Sequence, residues 1–128
     1  MPKILVVDDD PYMRRMTSAF LRSDGYEVET APDGREGLDR LPDGYFAVLT
    51  DFQMSNMNGV DLIIEARKHG YHGAAFLMTG DPDSLNTYLA ERGLTREEFF
   101  SGKYCNSLIT KPFDIHEVVK MLQAYKPQ

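Results

Sequence analysis

Residues 3–11 read Lys-Ile-Leu-Val-Val-Asp-Asp-Asp-Pro, an apolar run that ends abruptly in three aspartates. The unbroken apolar character of this run is typical of a parallel β-strand that is covered on both faces. Asp10 followed by Pro11 is a common helix start, because the aspartate can cap the first turn and the missing N–H of a proline does no harm at the first helical position. The stretch therefore predicts a buried strand that leads directly into a helix, with acidic residues at the turn between them.

The same order of elements repeats along the chain. Apolar or β-branched runs of strand length occupy residues 26–31, 45–50, 73–79 and 105–110, and a segment with helical spacing follows each of them. Five strand–helix units in alternation predict an α/β fold with a five-stranded parallel sheet and helices on both faces. In the first helix, the residues with the spacing of an inward-facing stripe are Met13, Met16, Thr17, Phe20 and Leu21.

Residues 94–103 are an extra segment that precedes the last strand. Thr95 and Glu98 have the spacing of a capping box, and Leu94 and Phe99 have the spacing of a hydrophobic staple. We therefore expect one short extra helix between the fourth helix and the fifth strand.

Length and composition exclude several classes of protein. A chain of 128 residues suits a single domain, which we expect to span residues 1–128, and 20 acidic against 14 basic residues argue against direct binding of nucleic acid or anionic membranes. No apolar run approaches the about 20 residues of a membrane span, and the N-terminus does not resemble a signal peptide, so we expect a cytoplasmic protein. Cys105, the one cysteine, cannot form an internal disulfide, and the three histidines lack the pattern of a zinc site.

Polar residues end or directly follow four of the predicted strands: Asp8 and Asp9, Asp51, Thr79 and Lys111. The carboxyl ends of parallel strands form one edge of the sheet, where ligands bind, so these side chains should converge. Three neighbouring carboxylates repel one another, and a hard divalent cation such as Mg²⁺ is the simplest relief. A cation, an ammonium group and a hydroxyl around one aspartate are the components of a phosphoryl-transfer site.

These residues belong to four short motifs, which are Val6-Val7-Asp8-Asp9, Asp51-x-x-Met54-x-x-Met57-Asn58-Gly59, Leu77-Met78-Thr79-Gly80 and Lys111-Pro112-Phe113. In this order they resemble the receiver domain of two-component response regulators, and the resemblance covers essentially the whole chain. It implies a flavodoxin-like, doubly wound sheet with strand order 2-1-3-4-5.

The resemblance also implies a role for each residue of the site. Asp51 would be the phosphoacceptor, and Thr79 and Lys111 would contact its phosphoryl group. A Mg²⁺ ion would be held by Asp8, directly or through a water, and by Asp9, Asp51 and the backbone carbonyl of Gln53.

The partners implied by the resemblance are other proteins. A sensor histidine kinase or a histidine phosphotransfer protein would donate the phosphoryl group from a phosphohistidine. The chain is then not a classical enzyme, although it would catalyse its own phosphorylation and slow autodephosphorylation. A downstream target would bind the face of the fourth helix, fifth strand and last helix, and a homodimer is possible. Because 128 residues include no output domain, we expect either signalling by direct protein contact or a domain taken from a longer chain.

Three features depart from the family pattern. Ser55 replaces a usual proline, which predicts a less rigid loop behind Asp51, and Leu108 replaces an aromatic residue that commonly moves on activation. The segment at residues 94–103 predicts unusual partner geometry.

Two alternative functions conflict with particular residues. A haloacid-dehalogenase-type hydrolase would need a second aspartate where Gln53 stands, and a flavodoxin-like phosphate loop is incompatible with the three aspartates at residues 8–10. A degenerate receiver that binds proteins without being phosphorylated stays open.

Overall fold

A computed structural model describes residues 2–125 of the chain. Its strands are β1 (Lys3–Val7), β2 (Glu27–Ala31), β3 (Ala47–Asp51), β4 (Ala74–Thr79) and β5 (Ser107–Thr110). All neighbouring strands pair in parallel, in the order β2-β1-β3-β4-β5. The predicted strand order is therefore confirmed, and every strand begins and ends within two residues of its predicted position.

Helices cover both faces of this sheet. In the described part of the chain they are α1 (Pro11–Ser23), α2 (Gly34–Arg40), α3 (Gly59–Lys68), α4 (Pro82–Glu91), α5 (Arg96–Phe99) and α6 (Ile115–Ala124), with a 3-10 turn at Leu41–Asp43. Alternate residues of β1 point to opposite faces, as the period of a strand requires. Leu5 and Val7 join a core cluster beneath α2, α3, α4 and α5, whereas Ile4 and Val6 join a second cluster beneath α1 and α6.

The first helix begins as predicted, but its inward face is placed differently. The Asp10 carboxylate accepts hydrogen bonds from the backbone N–H groups of Tyr12 and Met13. The buried residues of α1 are Thr17, Ser18 and Leu21. The prediction that Met16 faces the core is wrong, because its side chain is 54% exposed. The small Ser18 faces the sheet instead, which puts Met16 on the opposite side of the helix.

The extra segment forms the predicted short helix. Thr95 and Glu98 make both hydrogen bonds of a capping box at the start of α5, and Phe99 is fully buried. Arg67, at the end of α3, donates a hydrogen bond of 2.9 Å to the carbonyl oxygen of Tyr104 and so attaches the segment to the domain. Strand β5 begins two residues later than predicted because the Asn106 side chain, rather than a backbone carbonyl, accepts from the N–H of Ala75.

None of the helices between residues 2 and 125 has the length and apolar character that a membrane span requires.

Candidate functional site

The ends of the parallel strands bring the predicted acidic residues together. Asp8 directly follows β1, Asp51 is the last residue of β3, and Asp9 lies beside them. Each of these three residues offers a carboxylate oxygen, and the three oxygens lie within 4.8 Å of one another. Thr79 ends β4 and Lys111 directly follows β5, so all five side chains sit on the same edge of the sheet.

Asp51 is held by two donors on the same carboxylate oxygen. The Lys111 Nζ atom lies 3.2 Å from Asp51 Oδ1, and the backbone N–H of Phe52 donates to Oδ1 at 3.0 Å. Only 14% of the Asp51 side chain is exposed. Burial raises the pKa of Asp51 above its ordinary value, and the Lys111 ammonium opposes this shift.

Asp8 is the most buried acid of the cluster, with 1% of its surface exposed. Its Oδ1 atom accepts a hydrogen bond of 3.0 Å from the N–H of Asp10, and its carbonyl oxygen accepts one of 2.7 Å from the Arg14 guanidinium. Burial raises the pKa of Asp8; the N–H of Asp10 lowers it, and the charge of Asp51 adds to the rise. Asp9 is exposed, and its Oδ2 atom accepts a hydrogen bond of 3.3 Å from the N–H of Ser55.

The donor set of this cluster fits a hard cation. It consists of carboxylate oxygens alone, and oxygen ligands are what Mg²⁺ and Ca²⁺ bind, whereas zinc favours nitrogen and sulfur. Asp8 is buried and Asp51 is partly buried, the pKa values of both are raised, and the Lys111 ammonium lies beside Asp51. The exposed side of Asp9 leaves room for the waters that Mg²⁺ usually keeps. Gln53 lies exposed in the loop that follows β3.

Thr79 connects the site to α4. Its side chain is 2% exposed, and its Oγ1 atom accepts a hydrogen bond of 3.0 Å from the N–H of Asp81, the residue that caps α4. Gly80, between them, is exposed, and a Cβ atom added there would meet Lys111 Cβ at 3.8 Å, an ordinary contact. The edge of the site above Thr79 is therefore open to solvent.

The loop behind Asp51 is closely packed at Gly59. A Cβ atom on Gly59 would lie 2.2 Å from the carbonyl oxygen of Asp51 and 2.7 Å from Leu77 Cδ1, so a side chain would displace the backbone of the site. The N–H of Gly59 donates to the carbonyl oxygen of Phe52 at 2.8 Å, which sets the start of α3 directly behind the acid cluster. On the other side of the site, the peptide bond between Lys111 and Pro112 is cis.

The sequence and the fold both resemble those of known proteins. The family model described as the response regulator receiver domain matches residues 4–123. This chain belongs to the receiver domain family. The family's function is phosphoacceptor signalling, and the resemblance inferred from the four motifs is confirmed.

Curated relatives of this receiver domain are about twice as long as the chain. It is 41% identical to the transcriptional regulatory protein CpxR homolog of Haemophilus influenzae, over 97% of this chain and 50% of that protein. It is 32% identical to the probable transcriptional regulatory protein TcrX of Mycobacterium tuberculosis, over 94% of this chain and 48% of that protein. The chain thus spans about half the length of the curated relatives it matches.

Solved structures of receiver domains have the same fold. A CheY-like receiver domain protein of Methanospirillum hungatei matches with a TM-score of 0.80 and 25% identity, over 96% of this chain and 91% of that one. The response regulator protein TrrA of Thermotoga maritima, in complex with Mg(2+)-BeF, matches with a TM-score of 0.77 and 27% identity, over 96% and 97%. The acidic cluster of this chain is consistent with metal binding in the family.

Several contacts of the site were not predicted from the sequence. Each of the three acids accepts a hydrogen bond from one of three donors: the N–H of Phe52 binds Asp51, the N–H of Ser55 binds Asp9, and the Arg14 guanidinium binds the carbonyl of Asp8. Two of the three donors belong to the backbone. Backbone N–H groups cannot be predicted as donors from the identity of the residue. The contact of Arg14 could have been predicted, because an arginine one helical turn after an acidic helix start lies near that start.

Proposed function

We propose that Asp51 is the phosphoacceptor of this receiver domain and that its modification switches a protein-binding face. The observation that carries the proposal is the 3.2 Å ion pair between Lys111 and Asp51. Among the acids of the cluster, and within residues 2–125, Asp51 is the one in an ion pair with this lysine. A cation fixed beside one carboxylate can stabilise the charge that develops when a phosphoryl group arrives there.

The two carboxylate oxygens of Asp51 differ in their contacts, and this difference indicates which of them would react. Oδ1 accepts from both Lys111 and Phe52, whereas Oδ2 accepts no hydrogen bond from the residues that the structure describes. Oδ2 would attack the phosphorus of a phosphohistidine. The new P–O bond forms as the P–N bond breaks, and the imidazole keeps the electron pair and takes up a proton. Lys111 and the hydroxyl of Thr79 would then bind the phosphoryl oxygens.

A Mg²⁺ ion would be held by the carboxylates of Asp8, Asp9 and Asp51 and by the backbone carbonyl of Gln53. When bound, it would neutralise part of the negative charge of the phosphoryl oxygens. The hydrogen bond from the N–H of Ser55 keeps the exposed Asp9 turned toward the cluster.

The partners are proposed from the family and from the position of Thr79. The phosphoryl donor would be a sensor histidine kinase or a histidine phosphotransfer protein. Phosphorylation adds about 1 to 1.5 negative charges to the site at neutral pH. Because Thr79 accepts a hydrogen bond from the cap of α4, its movement toward this charge would alter the face formed by α4, β5 and α6. A downstream protein, or a second copy of the chain, would bind that face.

Intact mass spectrometry tests this assignment. We expect the chain to gain the mass of one phosphoryl group when it is incubated with Mg²⁺ and acetyl phosphate, and to gain nothing when EDTA is added. The variant Asp51→Asn should gain nothing, whereas Asp39→Asn, which changes an exposed acid of α2 in the same way, should behave like the wild type. A gain that survives Asp51→Asn would refute the assignment. No gain in the folded wild type would favour the degenerate receiver.

A further inference from the structure

Helix α4 is attached to the rest of the domain at both of its ends. At its start, the N–H of Asp81 donates to Thr79 Oγ1 at 3.0 Å. Near its end, the Tyr88 hydroxyl lies 2.7 Å from both carboxylate oxygens of Asp61, and the Arg92 Nη1 atom lies 2.6 Å from Asp61 Oδ1. We call the second attachment, made of Asp61, Tyr88 and Arg92, the Asp61 clamp. It joins α4 to the first turn of α3.

The Asp61 clamp also contacts the residue beside the phosphoacceptor. The rings of Tyr88 and Phe52 lie 5.8 Å apart between centroids, tilted by 53°. Phe52 is 5% exposed, so its ring has little freedom to move without moving Tyr88. The N–H of Phe52 is shared between Asp51 Oδ1 at 3.0 Å and the carbonyl oxygen of Met78 at 2.9 Å. A change at the Asp51 carboxylate therefore acts on the backbone that carries the Phe52 ring.

The start of α3 completes this set of contacts. The N–H of Gly59 donates to the carbonyl oxygen of Phe52, and the Asn58 side chain accepts from the N–H of Asp61 at 2.9 Å. Asp61 is thus fixed relative to Phe52 through the backbone as well as through Tyr88. The charged acceptor at the centre of the clamp is 27% exposed, and hydrogen bonds to a charged group are stronger than those between neutral groups.

We propose that the Asp61 clamp couples the state of Asp51 to the position of α4, with Tyr88 as the positioning residue. This inference rests on the proposed function of Asp51. If Thr79 turns toward a phosphoryl group, the N–H of Asp81 loses its acceptor and the start of α4 is released. The clamp then holds the other end of α4 and transmits any shift of Phe52 to it. By linkage, a partner that draws Tyr88 away from Asp61 changes the phosphorylation of Asp51 in return.

Hydrogen exchange of the α4 amides measures this coupling. The full chain is compared with and without Mg²⁺ and beryllofluoride, which replaces the phosphoryl group, and acetyl phosphate labelling is measured on the same samples. The variants are Tyr88→Phe, which removes the hydroxyl alone, and Asp61→Asn, which removes the charge. The matched control is Tyr104→Phe, because the Tyr104 ring stacks on Phe99 outside the clamp.

We expect three results in the variants of the clamp. Without beryllofluoride, α4 should exchange about fivefold faster in Tyr88→Phe than in the wild type, as expected for the loss of one hydrogen bond. The response of α4 to beryllofluoride should be largely lost in both clamp variants and kept in Tyr104→Phe. The final mass gain from acetyl phosphate should remain, with an altered initial rate, because Asp51 itself is unchanged.

Each other result overturns the inference. If α4 exchanges in Tyr88→Phe as it does in Tyr104→Phe, the clamp does not hold the helix. If α4 is loosened but responds fully to beryllofluoride, the clamp has a structural role alone. If the wild type gains no phosphoryl mass and shows no response, the proposed function fails and the coupling fails with it. The faster basal exchange of Tyr88→Phe would then still report the clamp, so the two failures are distinguishable.

Discussion

Replacing the proposed phosphoacceptor should stabilise the protein when metal is absent. In Asp51→Asn, the side-chain carbonyl can still accept hydrogen bonds from Lys111 and Phe52, so the change removes a charge and little else. That charge lies within 4.8 Å of two other carboxylates in a buried site. The free energy of unfolding should therefore rise, although the same variant is expected to lose phosphorylation.

The size of the effect follows from the distances. At an effective dielectric constant of about 20, two like charges 4.8 Å apart repel by about 3.5 kcal/mol, and Asp51 has two such neighbours. The attraction between Lys111 and Asp51 at 3.2 Å, calculated with the same dielectric constant, offsets about 5 kcal/mol of this repulsion. The net repulsion is about 2 kcal/mol, and solvent at the exposed Asp9 reduces it. We expect a gain of about 1 to 2 kcal/mol, which corresponds to a rise in Tm of roughly 4 to 8 °C.

The effect depends on pH in a defined direction. Burial raises the pKa of Asp8 and of Asp51 above the ordinary value of 3.8, so the folded chain binds these protons more tightly than the unfolded chain. The wild type therefore loses stability as the pH rises from 3.8 through the raised values of the folded state, and the whole penalty is present above them. The advantage of Asp51→Asn should be largest at neutral pH and should shrink as the pH approaches 4.

Thermal denaturation followed by circular dichroism tests this reasoning. The wild type, Asp51→Asn and the control Asp39→Asn are compared in EDTA and then in Mg²⁺. At a Mg²⁺ concentration of 100 times its Kd, the wild type should gain about 2.7 kcal/mol, and Asp51→Asn should gain much less. A lower Tm for Asp51→Asn than for the wild type in EDTA would refute the electrostatic reasoning. An equal gain of both proteins in Mg²⁺ would refute the role of Asp51 as a ligand of the metal, and no gain in the wild type would refute the metal site.

Three further outcomes are expected. Gly59→Ala should lower the free energy of unfolding, measured by urea titration, by about 1 to 3 kcal/mol, because the added Cβ atom would meet the Asp51 carbonyl oxygen. The control Gly80→Ala should change this free energy little, because its Cβ atom would make an ordinary contact. Cys105, whose pKa burial raises to about 12, should resist iodoacetamide at pH 8 in the native protein and react in urea; rapid native labelling would contradict its burial. Lys111→Gln should slow phosphorylation by acetyl phosphate about 100-fold, and an unchanged initial rate would remove this lysine from the mechanism.

The fold could be predicted from the sequence because each strand has a clear pattern. β1 is apolar from Ile4 to Val7, and it lies inside the sheet between β2 and β3. The rule that ligands bind at the carboxyl ends of parallel strands then predicts that Asp8, Asp51 and Lys111 lie at one edge of the sheet. Convergence of the side chains follows from topology, which is why it was predictable.

The features that the sequence did not predict depend on how side chains pack and on contacts between residues far apart in the chain. Met16 has the spacing of a core residue, but the smaller Ser18 packs against the sheet in its place. Tyr88 and Asp61 are 27 positions apart on different helices, so no local pattern indicates that they meet. Their contact depends on how closely α3 and α4 approach, which only the packed core determines.

Ser55 shows how a departure from the family pattern can have a local compensation. A proline at this position would restrict the unfolded chain, which is worth about 0.4 to 1 kcal/mol, but it would have no N–H to donate. The Ser55 N–H donates to Asp9, and the next residue, Asn56, adopts a left-handed φ of 68° and donates from its side chain to Asp33. A loop without the proline is therefore attached to the acid cluster on one side and to the start of α2 on the other. These two contacts limit the flexibility of the loop. One of them exists only because residue 55 is not a proline, since the Ser55 N–H donates to Asp9, a proposed metal ligand.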